Sequence, residues 1–596
     1  MKKHVITLFI LFQVYNAFAQ QVIDPTVEVV KNFEGNALNI SKGMLNTTVN
    51  DSITNFDLNF NYNFFNSPYK RMYEFAPLPY AQINNKNSMT YPIFMAKIGA
   101  GAPAQFNSEF WLAPQISKDN KHSVLINGKY NLFNGYIPLL TTDENSVEIS
   151  SDKVFAPNKK YGIGAIYQYN WDKGILDFSA RYNGGFNTFY GFNAKNLTPE
   201  GINNLEDREY LKNPDNKLNR NYNQFEGAFN LKSTNAQQRV LSYWLNATYR
   251  NTQDIFPNNS KSKPYENYWN LEGEIGPNFG KYNKFIVGLK YHGASYNFKN
   301  SNQDFNHSIY EITPQYRFEN KRFKAVAGIK ISGRSTSALE PGDSFNSIFL
   351  KANLSYQVIK NYLRLSFDID GWNNLNNFSS MLNQNKWIIP LDSLKSLKES
   401  STPFFAQFKI DGKFTDKFSY KLYASYSIHQ GLLQYFNFSD GYLTPFHSDH
   451  YETSLGGEFL FNSTNYVGGL KMLYRGFTDG DNGDFGINKY PSGYSPFRFE
   501  IFGEYNYRKR IFFGFNLTYY SNTTFYNILN KTDLTNITET TANFANLQLN
   551  AKYAINKNFT AFINGNNLLN STVLYYPYYC EKGINFEAGI ILKLGN

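Results

Sequence analysis

Two segments carry the residue types that bind metal ions. His447-Ser448-Asp449-His450 places two imidazoles and a carboxylate within four residues, and these are common ligands of zinc. Asp479-Gly480-Asp481-Asn482-Gly483-Asp484 has the composition of a calcium loop, but Asp484 stands where an EF-hand requires glycine and Tyr490 stands where it requires a bidentate glutamate. We therefore interpret both segments as solvated loops and predict no metal site.

The remaining chemistry-bearing residues are few. Cys580 is the single cysteine and has no partner for an internal disulfide, so we interpret it as a loop residue. The chain has seven histidines, and it contains neither the G-x-S-x-G pattern of serine hydrolases nor the H-E-x-x-H pattern of zinc proteases. We therefore predict that the protein is not an enzyme, with no catalytic residue, no cofactor-binding residue and no cofactor.

The composition favours strands. The chain has 54 Phe and 46 Tyr, and its mean hydropathy is −0.48. No stretch after the N-terminus offers the 18 or more apolar residues that a transmembrane helix needs. Aromatic and β-branched segments instead alternate with clusters of Asn, Gly, Asp and Lys, which is typical of strands and turns. A β-barrel reconciles this low hydropathy with a membrane location, because only every second strand residue must face lipid.

Period-two alternation from about Tyr91 onward indicates roughly 22 strands. In the last of them, Ile584–Leu594, Phe586 and Ile590 fall on one face while Glu587 falls on the other. The segment Phe404–Phe414 alternates in the same way.

The connections between these strands alternate between short and long. Long polar connections are expected at 137–159, 191–220, 253–265, 335–345, 379–403, 436–450, 478–496 and 526–541. Tight turns are expected near 119–120, 172–174, 280–284, 320–321, 360–361, 415–417, 463–464, 508–510 and 556–557. Short turns at one rim and long loops at the other are typical of outer-membrane barrels. We therefore predict an all-β fold, a transmembrane antiparallel β-barrel of about 22 strands with short periplasmic turns and long extracellular loops.

Two of the long loops carry helix signals. Thr198 can cap a helix that begins at Pro199, and the leucine spacing over Asp392–Lys398 suits a short helix. We expect ordered loops of this kind to cover the mouth of the barrel or to bind a partner.

The N-terminus has the pattern of an export signal. Lys2 and Lys3 precede an apolar run over Val5–Val14, and Ala17-Phe18-Ala19 supplies the small residues that a signal peptidase requires. We predict a signal peptide over residues 1–19, cleaved after Ala19. Residues 20–90 are then a periplasmic or lumenal arm, and residues 91–596 are the barrel.

The C-terminal region resembles a known family. Asn558–Asn570 is similar to the penultimate strand of TonB-dependent receptors, in which an Asn-Leu-apolar-Asp/Asn element ends the strand. The resemblance covers Tyr91–Asn596 and implies an outer-membrane barrel of 22 strands that takes part in transport. Those receptors carry an N-terminal plug domain, and Gln20–Thr90 is too short for one, so we expect a plug-less variant. The Asn-rich and aromatic composition is similar to that of Bacteroidota proteins.

The scattered charge predicts no nucleic-acid partner, and two hypotheses for the function remain. Removing the two signal-peptide lysines lowers the formal charge from +10 to +8 (10 − 2), and the basic residues are scattered, so no nucleic-acid surface is predicted. The expected partners are outer-membrane lipid and a partner outer-membrane or periplasmic protein, and the ligand is not identified by the sequence. One hypothesis is transport of a solute or lipid across the outer membrane. The alternative is a structural or assembly subunit that anchors a multi-protein complex.

Overall fold

The structure, a computed structural model, describes residues 93–595 except for several connecting segments. The segments outside the description are 117–120, 144–145, 192–218, 235–240, 257–262, 299–304, 337–344, 392–398, 438–441, 484–490 and 529–536. The predicted signal peptide and arm lie outside the described residues, as do the helix signal at Thr198 and the helix predicted over Asp392–Lys398.

Within the described residues, 22 strands form one antiparallel sheet, as the sequence predicts. Strand formation follows from the alternation of apolar and polar residues, which gives each strand one face for each side of a barrel wall. The strands are β1 (Phe94–Ala102), β2 (Gln105–Leu112), β3 (His122–Phe133), β6 (Asn158–Trp171), β7 (Gly174–Thr188), β8 (Asn219–Ser233), β9 (Leu241–Ile255), β10 (Tyr265–Phe279), β11 (Asn283–Asn297), β12 (Phe305–Glu319), β13 (Phe323–Thr336), β14 (Phe345–Ile359), β15 (Leu363–Asn374), β16 (Ser400–Thr415), β17 (Phe418–Asn437), β18 (Leu443–Asn462), β19 (Tyr466–Gly483), β20 (Phe497–Tyr507), β21 (Ile511–Ile528), β22 (Ile537–Ala554), β23 (Phe559–Asn566) and β26 (Asn585–Leu594).

The remaining elements belong to the connections. They are the hairpin β4 (Tyr136–Asp143) and β5 (Ser146–Phe155), the helix α1 (Phe378–Gln384), and the small sheet of β24 (Leu574–Tyr576) and β25 (Tyr579–Cys580). In the described part of the chain, no helix has the length and hydropathy required to cross a bilayer.

The sheet closes on itself through its first and last strands. β1 pairs with β2 on one side and with β26 on the other, and the second ladder runs from Phe94 opposite Leu594 to Ala102 opposite Phe586. Closure gives every strand two hydrogen-bonded neighbours, which is the condition for a sheet to span a bilayer.

The two faces of the wall differ as predicted. In β26, Phe586 and Ile590 are about half exposed on the outside, whereas Glu587 is buried on the inside. The inward side chains form ion pairs: Arg250 Nη2 of β9 lies 2.6 Å from Glu226 Oε2 on the neighbouring strand β8, and Lys330 Nζ of β13 lies 2.7 Å from Asp370 Oδ1 of β15, two strands away. The outer surface is therefore apolar and the inner surface is charged.

The short turns are built for a reversal within a few residues. Arg508 and Lys509 both have positive φ, 52° and 57°, and the side chain of Asn506 accepts a hydrogen bond from the Lys509 N–H at 2.8 Å. Asn361, with φ 65°, has the same role between β14 and β15. Positive φ at turn residues matches the twist of the flanking strands, and this conformation keeps the connections at this rim short.

Two predicted long loops are shorter than expected, and a third contains a hairpin. β17 continues to Asn437 and β18 starts at Leu443, so most of 436–450 is strand. β19 reaches Gly483, which places most of the supposed calcium loop in a strand, and 137–159 consists largely of the β4–β5 hairpin. The reason is that strand pairing uses backbone hydrogen bonds and does not require apolar side chains, so a polar sequence does not mark the end of pairing.

Candidate functional site

The connections at the long-loop rim fold together into one apolar cluster, which we call the loop cap. It comprises residues 136–140, 153–156, 189–191, 375–391 and 567–584, together with the wall residues that they contact. Its buried members are Phe133, Ile137, Leu139, Leu140, Val154, Ala156, Phe189, Tyr190, Ala294, Tyr296, Phe378, Met381, Leu382, Trp387, Ile388, Leu391, Tyr435, Leu443, Phe525, Leu574, Tyr578, Tyr579 and Cys580. Burial of this many apolar side chains is the arrangement of a protein core rather than of mobile surface loops.

Hydrogen bonds of the loop cap cross the mouth of the barrel. Asn437 ends β17, the fifteenth barrel strand, and its side-chain amide donates to the carbonyl of Gly191 at 2.8 Å. Gly191 follows β7, the fifth barrel strand, so the bond joins points ten strands apart (15 − 5) in a ring of 22. The backbone N–H of Leu443 also donates to the carbonyl of Trp387 at 2.9 Å. Segments from nearly opposite sides of the wall therefore meet above the lumen.

Aromatic rings form the centre of the loop cap. Trp387 stacks on Tyr579 with ring centroids 4.2 Å apart, and Tyr190 packs edge-on against both, at 5.6 and 4.8 Å. The Tyr190 hydroxyl donates to the carbonyl of Cys580 at 3.0 Å. Ring pairs of this geometry contribute about 0.5–1.5 kcal/mol each beyond their buried area.

Helix α1 is attached to the wall by a carboxylate from a barrel strand. Glu266 of β10 accepts hydrogen bonds from the N–H groups of Phe378 and Ser379, at 2.6 and 3.1 Å, and from the Asn377 side chain at 3.1 Å. The first N–H groups of a helix lack intrahelical partners, and a negative charge at this end also suits the helix dipole. Glu266 therefore serves as the N-terminal cap of α1.

A buried ion pair fixes the segment that follows α1. Arg220 Nε lies 2.9 Å from Asp254 Oδ1, and the two side chains are 0% and 1% exposed. The Arg220 guanidinium also donates to the carbonyl of Lys386 at 3.3 Å and lies over the ring of Phe189, 4.9 Å from its centroid. Asp254 in turn accepts the N–H of Leu391 at 2.8 Å. The pair thus ties residues 386–391 to strands β8 and β9.

The structure places the two histidines considered as metal ligands differently from the prediction. His447 and His450 are buried in β18 instead of lying in a solvated loop; His450 Nε2 lies 2.7 Å from the Ser448 hydroxyl, and His447 Nε2 lies 3.3 Å from Asn376 Nδ2. Among the described residues, no group of three or more His, Cys, Asp or Glu side chains is placed to hold a metal ion.

Cys580 lies in the connection between β23 and β26, as expected for a loop residue. It lies in β25, buried in the loop cap, with its thiol 3.1 Å from the carbonyl of Pro138. Burial raises the pKa of this thiol to about 12. The only thiol of the chain is therefore unreactive while the loop cap is closed.

Comparisons with known proteins identify the fold. No family model and no curated protein sequence matches the chain. Solved structures do match: the iron transporter FrpB from Neisseria meningitidis has a TM-score of 0.63 and 8% identity, over 85% of this chain and 83% of that one. The siderophore receptor PirA from Acinetobacter baumannii has a TM-score of 0.62 and 10% identity, over 85% and 81%. The ferripyoverdine receptor of Pseudomonas aeruginosa has a TM-score of 0.58 and 10% identity, over 85% and 72%. The chain therefore has the fold of the outer-membrane receptor barrels.

Proposed function

We propose that the protein resides in the outer membrane of a Gram-negative bacterium and takes part in transport of a solute across it, with the loop cap as its extracellular gate. The apolar outer face and the charged inner face suit a barrel surrounded by lipid with a hydrophilic interior. The compared receptors and transporters of the same fold support the assignment to transport.

The observation that carries the proposal is the meeting of loops across the mouth, through the Asn437–Gly191 bond and the aromatic cluster. Ordered loops that close a wide barrel control what enters it. The cluster is fastened to the wall at several points, and the charged ones are the Arg220–Asp254 pair and the Glu266 cap of α1. Such a structure can open as a unit when these attachments are broken.

The experiment combines conductance with thiol labelling. Purified protein in planar bilayers is expected to conduct poorly, whereas the Arg220→Met/Glu266→Ala variant opens frequent high-conductance states. Maleimide labelling of Cys580 reports the opening of the loop cap independently of any current. Arg317→Met is the matched control, because it breaks an ion pair with Glu274 that is about 30% exposed on the lumenal wall.

The labelling also separates the two hypotheses. If Cys580 becomes labelled in the double variant and the conductance stays unchanged, the loop cap is not the gate of a transport path. The alternative, a subunit that anchors an outer-membrane or periplasmic complex, is favoured by the core-like packing of the loop cap. That function predicts co-purification of a stoichiometric partner from native membranes in mild detergent.

The proposal includes the N-terminal region. Residues 1–19 are a signal peptide, and residues 20–90 are an arm without a full plug domain, in line with a plug-less and Bacteroidota-type relative of the TonB-dependent receptors. Deleting residues 22–81 with the signal peptide kept should raise both conductance and sensitivity to bulky antibiotics if the arm helps to seal the barrel. Unchanged conductance in a normally inserted variant would exclude the arm as a seal.

A further inference from the structure

We propose that the loop cap contains a binding pocket for the acidic group of a ligand, a phosphate or a carboxylate. The pocket lies where the base of the β4–β5 hairpin, the end of β7 and residues 386–387 and 581–582 meet. Its charged lining residues are Lys386, Lys582 and Glu581, and its aromatic walls are Phe133, Tyr190 and Trp387. This inference goes beyond transport. It rests on the proposed function in one respect, namely that the loop cap faces the cell exterior.

The first argument is the supply of hydrogen-bond donors. Lys386 Nζ lies over the Trp387 ring, 4.5 Å from its centroid, and among the described residues it has no hydrogen-bond acceptor. Trp387 is 6% exposed, and its indole Nε1–H likewise finds no acceptor in the described part of the chain. A buried N–H without an acceptor is costly, and a bound oxyanion would satisfy it.

The second argument is charge. With both lysines protonated, the pocket holds two ammonium groups and one carboxylate, a net charge of +1. Burial lowers the pKa of Lys386 to about 8, with a further lowering by Lys582, while Glu581 opposes the shift. A bound anion would offset the electrostatic repulsion between the two ammonium groups and favour their protonated forms. The Glu581 carboxylate would then accept a hydrogen bond from a hydroxyl of the same ligand. A protonated phosphate or a hydroxy acid has such a hydroxyl.

The third argument is the size of the cavity and the rigidity of the backbone around it. The cavity has a volume of about 30 Å³, where a single water needs roughly 10–15 Å³, so it fits an acidic group but not a whole sugar ring. The backbone on both sides is fixed: the Lys386 carbonyl accepts from Asn187 at 3.0 Å, and the Lys582 carbonyl accepts from Asn567 at 3.0 Å. The Lys582 ammonium is held by Gln105 Oε1 at 3.2 Å. Preorganised donors bind an anion without the cost of ordering them.

The test is equilibrium binding to the purified full-length protein, with inorganic phosphate and glucuronate as separate probes. Saturable binding of either probe is expected, and a preference between them identifies the acidic group. Lys386→Gln and Lys582→Gln should each raise the Kd about tenfold or more, since each removes a charge-assisted hydrogen bond. Trp387→Phe keeps an aromatic ring but removes the indole N–H, so it should weaken binding severalfold. Lys281→Gln, in a turn at the opposite rim, is the control and should leave the Kd unchanged.

A pH series gives a second readout. Binding requires a protonated Lys386, so the affinity of the wild type for glucuronate, which stays ionised throughout this range, should be constant well below pH 8 and fall above it. Lys386→Arg should retain its affinity at pH 9.5, because arginine stays charged. Labelling of Cys580 checks that each variant keeps the loop cap closed. The proposal is overturned if neither probe saturates, or if the Lys386→Gln/Lys582→Gln variant binds as tightly as the wild type with its loop cap closed.

Discussion

Replacing Arg220 with methionine should open the loop cap. The substitution keeps most of the side-chain length but removes the charge, and it leaves the Asp254 carboxylate buried without its ion-pair partner, with the Leu391 N–H still donating to it. Removing one partner of a buried ion pair costs about 3–5 kcal/mol. The loss of the contacts to the Lys386 carbonyl and the Phe189 ring acts in the same direction.

The native thiol measures this change directly. Cys580 is buried in the same apolar cluster as Phe189, so it reacts with a maleimide only after the cluster opens. When reclosing is faster than labelling, the labelling rate follows the population of the open form. A cost of 3–5 kcal/mol at about 1.4 kcal/mol per tenfold change then predicts labelling about 10²- to 10⁴-fold faster than in the wild type.

A double variant tests the electrostatic reason. Arg220→Met/Asp254→Leu leaves no uncompensated charge, so it should recover most of the wild-type protection, because apolar replacement of both partners is often neutral. Arg317→Met should label at the wild-type rate. A single variant labelled within twofold of the wild-type rate, or a double variant as open as the single one, would refute the assignment of Arg220–Asp254 as the main attachment.

Other predictions use the same protein and simple readouts. Glu266→Ala leaves the first N–H groups of α1 without an acceptor, so it should weaken the loop cap by about 1–2 kcal/mol and raise the labelling rate about tenfold. The pKa of Lys386 is about 8 in the folded protein against the usual 10.5, so the closed loop cap should gain stability as pH rises from 8 to 10. The rate of Cys580 labelling, corrected for the ionisation of the thiol, should therefore fall over this range. Lys386→Met should abolish this pH dependence. Leu289 is half exposed on the outer face, so Leu289→Arg should cost about 2–4 kcal/mol near the bilayer midplane in a denaturant titration of the folded barrel, and Leu289→Phe should be tolerated. A tag inserted within 484–490 should bind antibody on intact cells and one within 508–510 should not; equal labelling would contradict the assigned orientation.

The barrel could be predicted from the sequence because the pattern of each strand and each short turn is contained within a few consecutive residues. A strand that faces lipid on one side and water on the other must alternate residue by residue, as Phe586 and Glu587 do. The short turns also carry local signals, such as Asn361 with its positive φ. The strand number and the orientation of the faces follow from these two patterns.

The loop cap could not be predicted, because its contacts join residues far apart in the sequence. Arg220 pairs with Asp254 and Glu266 caps a helix more than a hundred residues later, and neither contact leaves a pattern in its own segment. The helix predicted over Asp392–Lys398 lies outside the described residues, and α1 at Phe378–Gln384 could not be predicted because its N-terminal acceptor comes from a barrel strand. The burial of Cys580 could not be predicted for a similar reason, since the segments that bury it are distant in the sequence.

The seam between β1 and β26 has a consequence for how the molecule is made. Phe94 pairs with Leu594, a separation of 500 residues (594 − 94), so the ladder that closes the ring has one of the largest loop-closure costs in the chain. Until it forms, the growing sheet has two unpaired edges, which are templates for aggregation. Contacts such as Cys580 with Pro138 depend on the same closure, so the thiol becomes protected late in folding. Folding of this chain is therefore a slow process of high contact order, in which the open edges need protection until the last strand arrives.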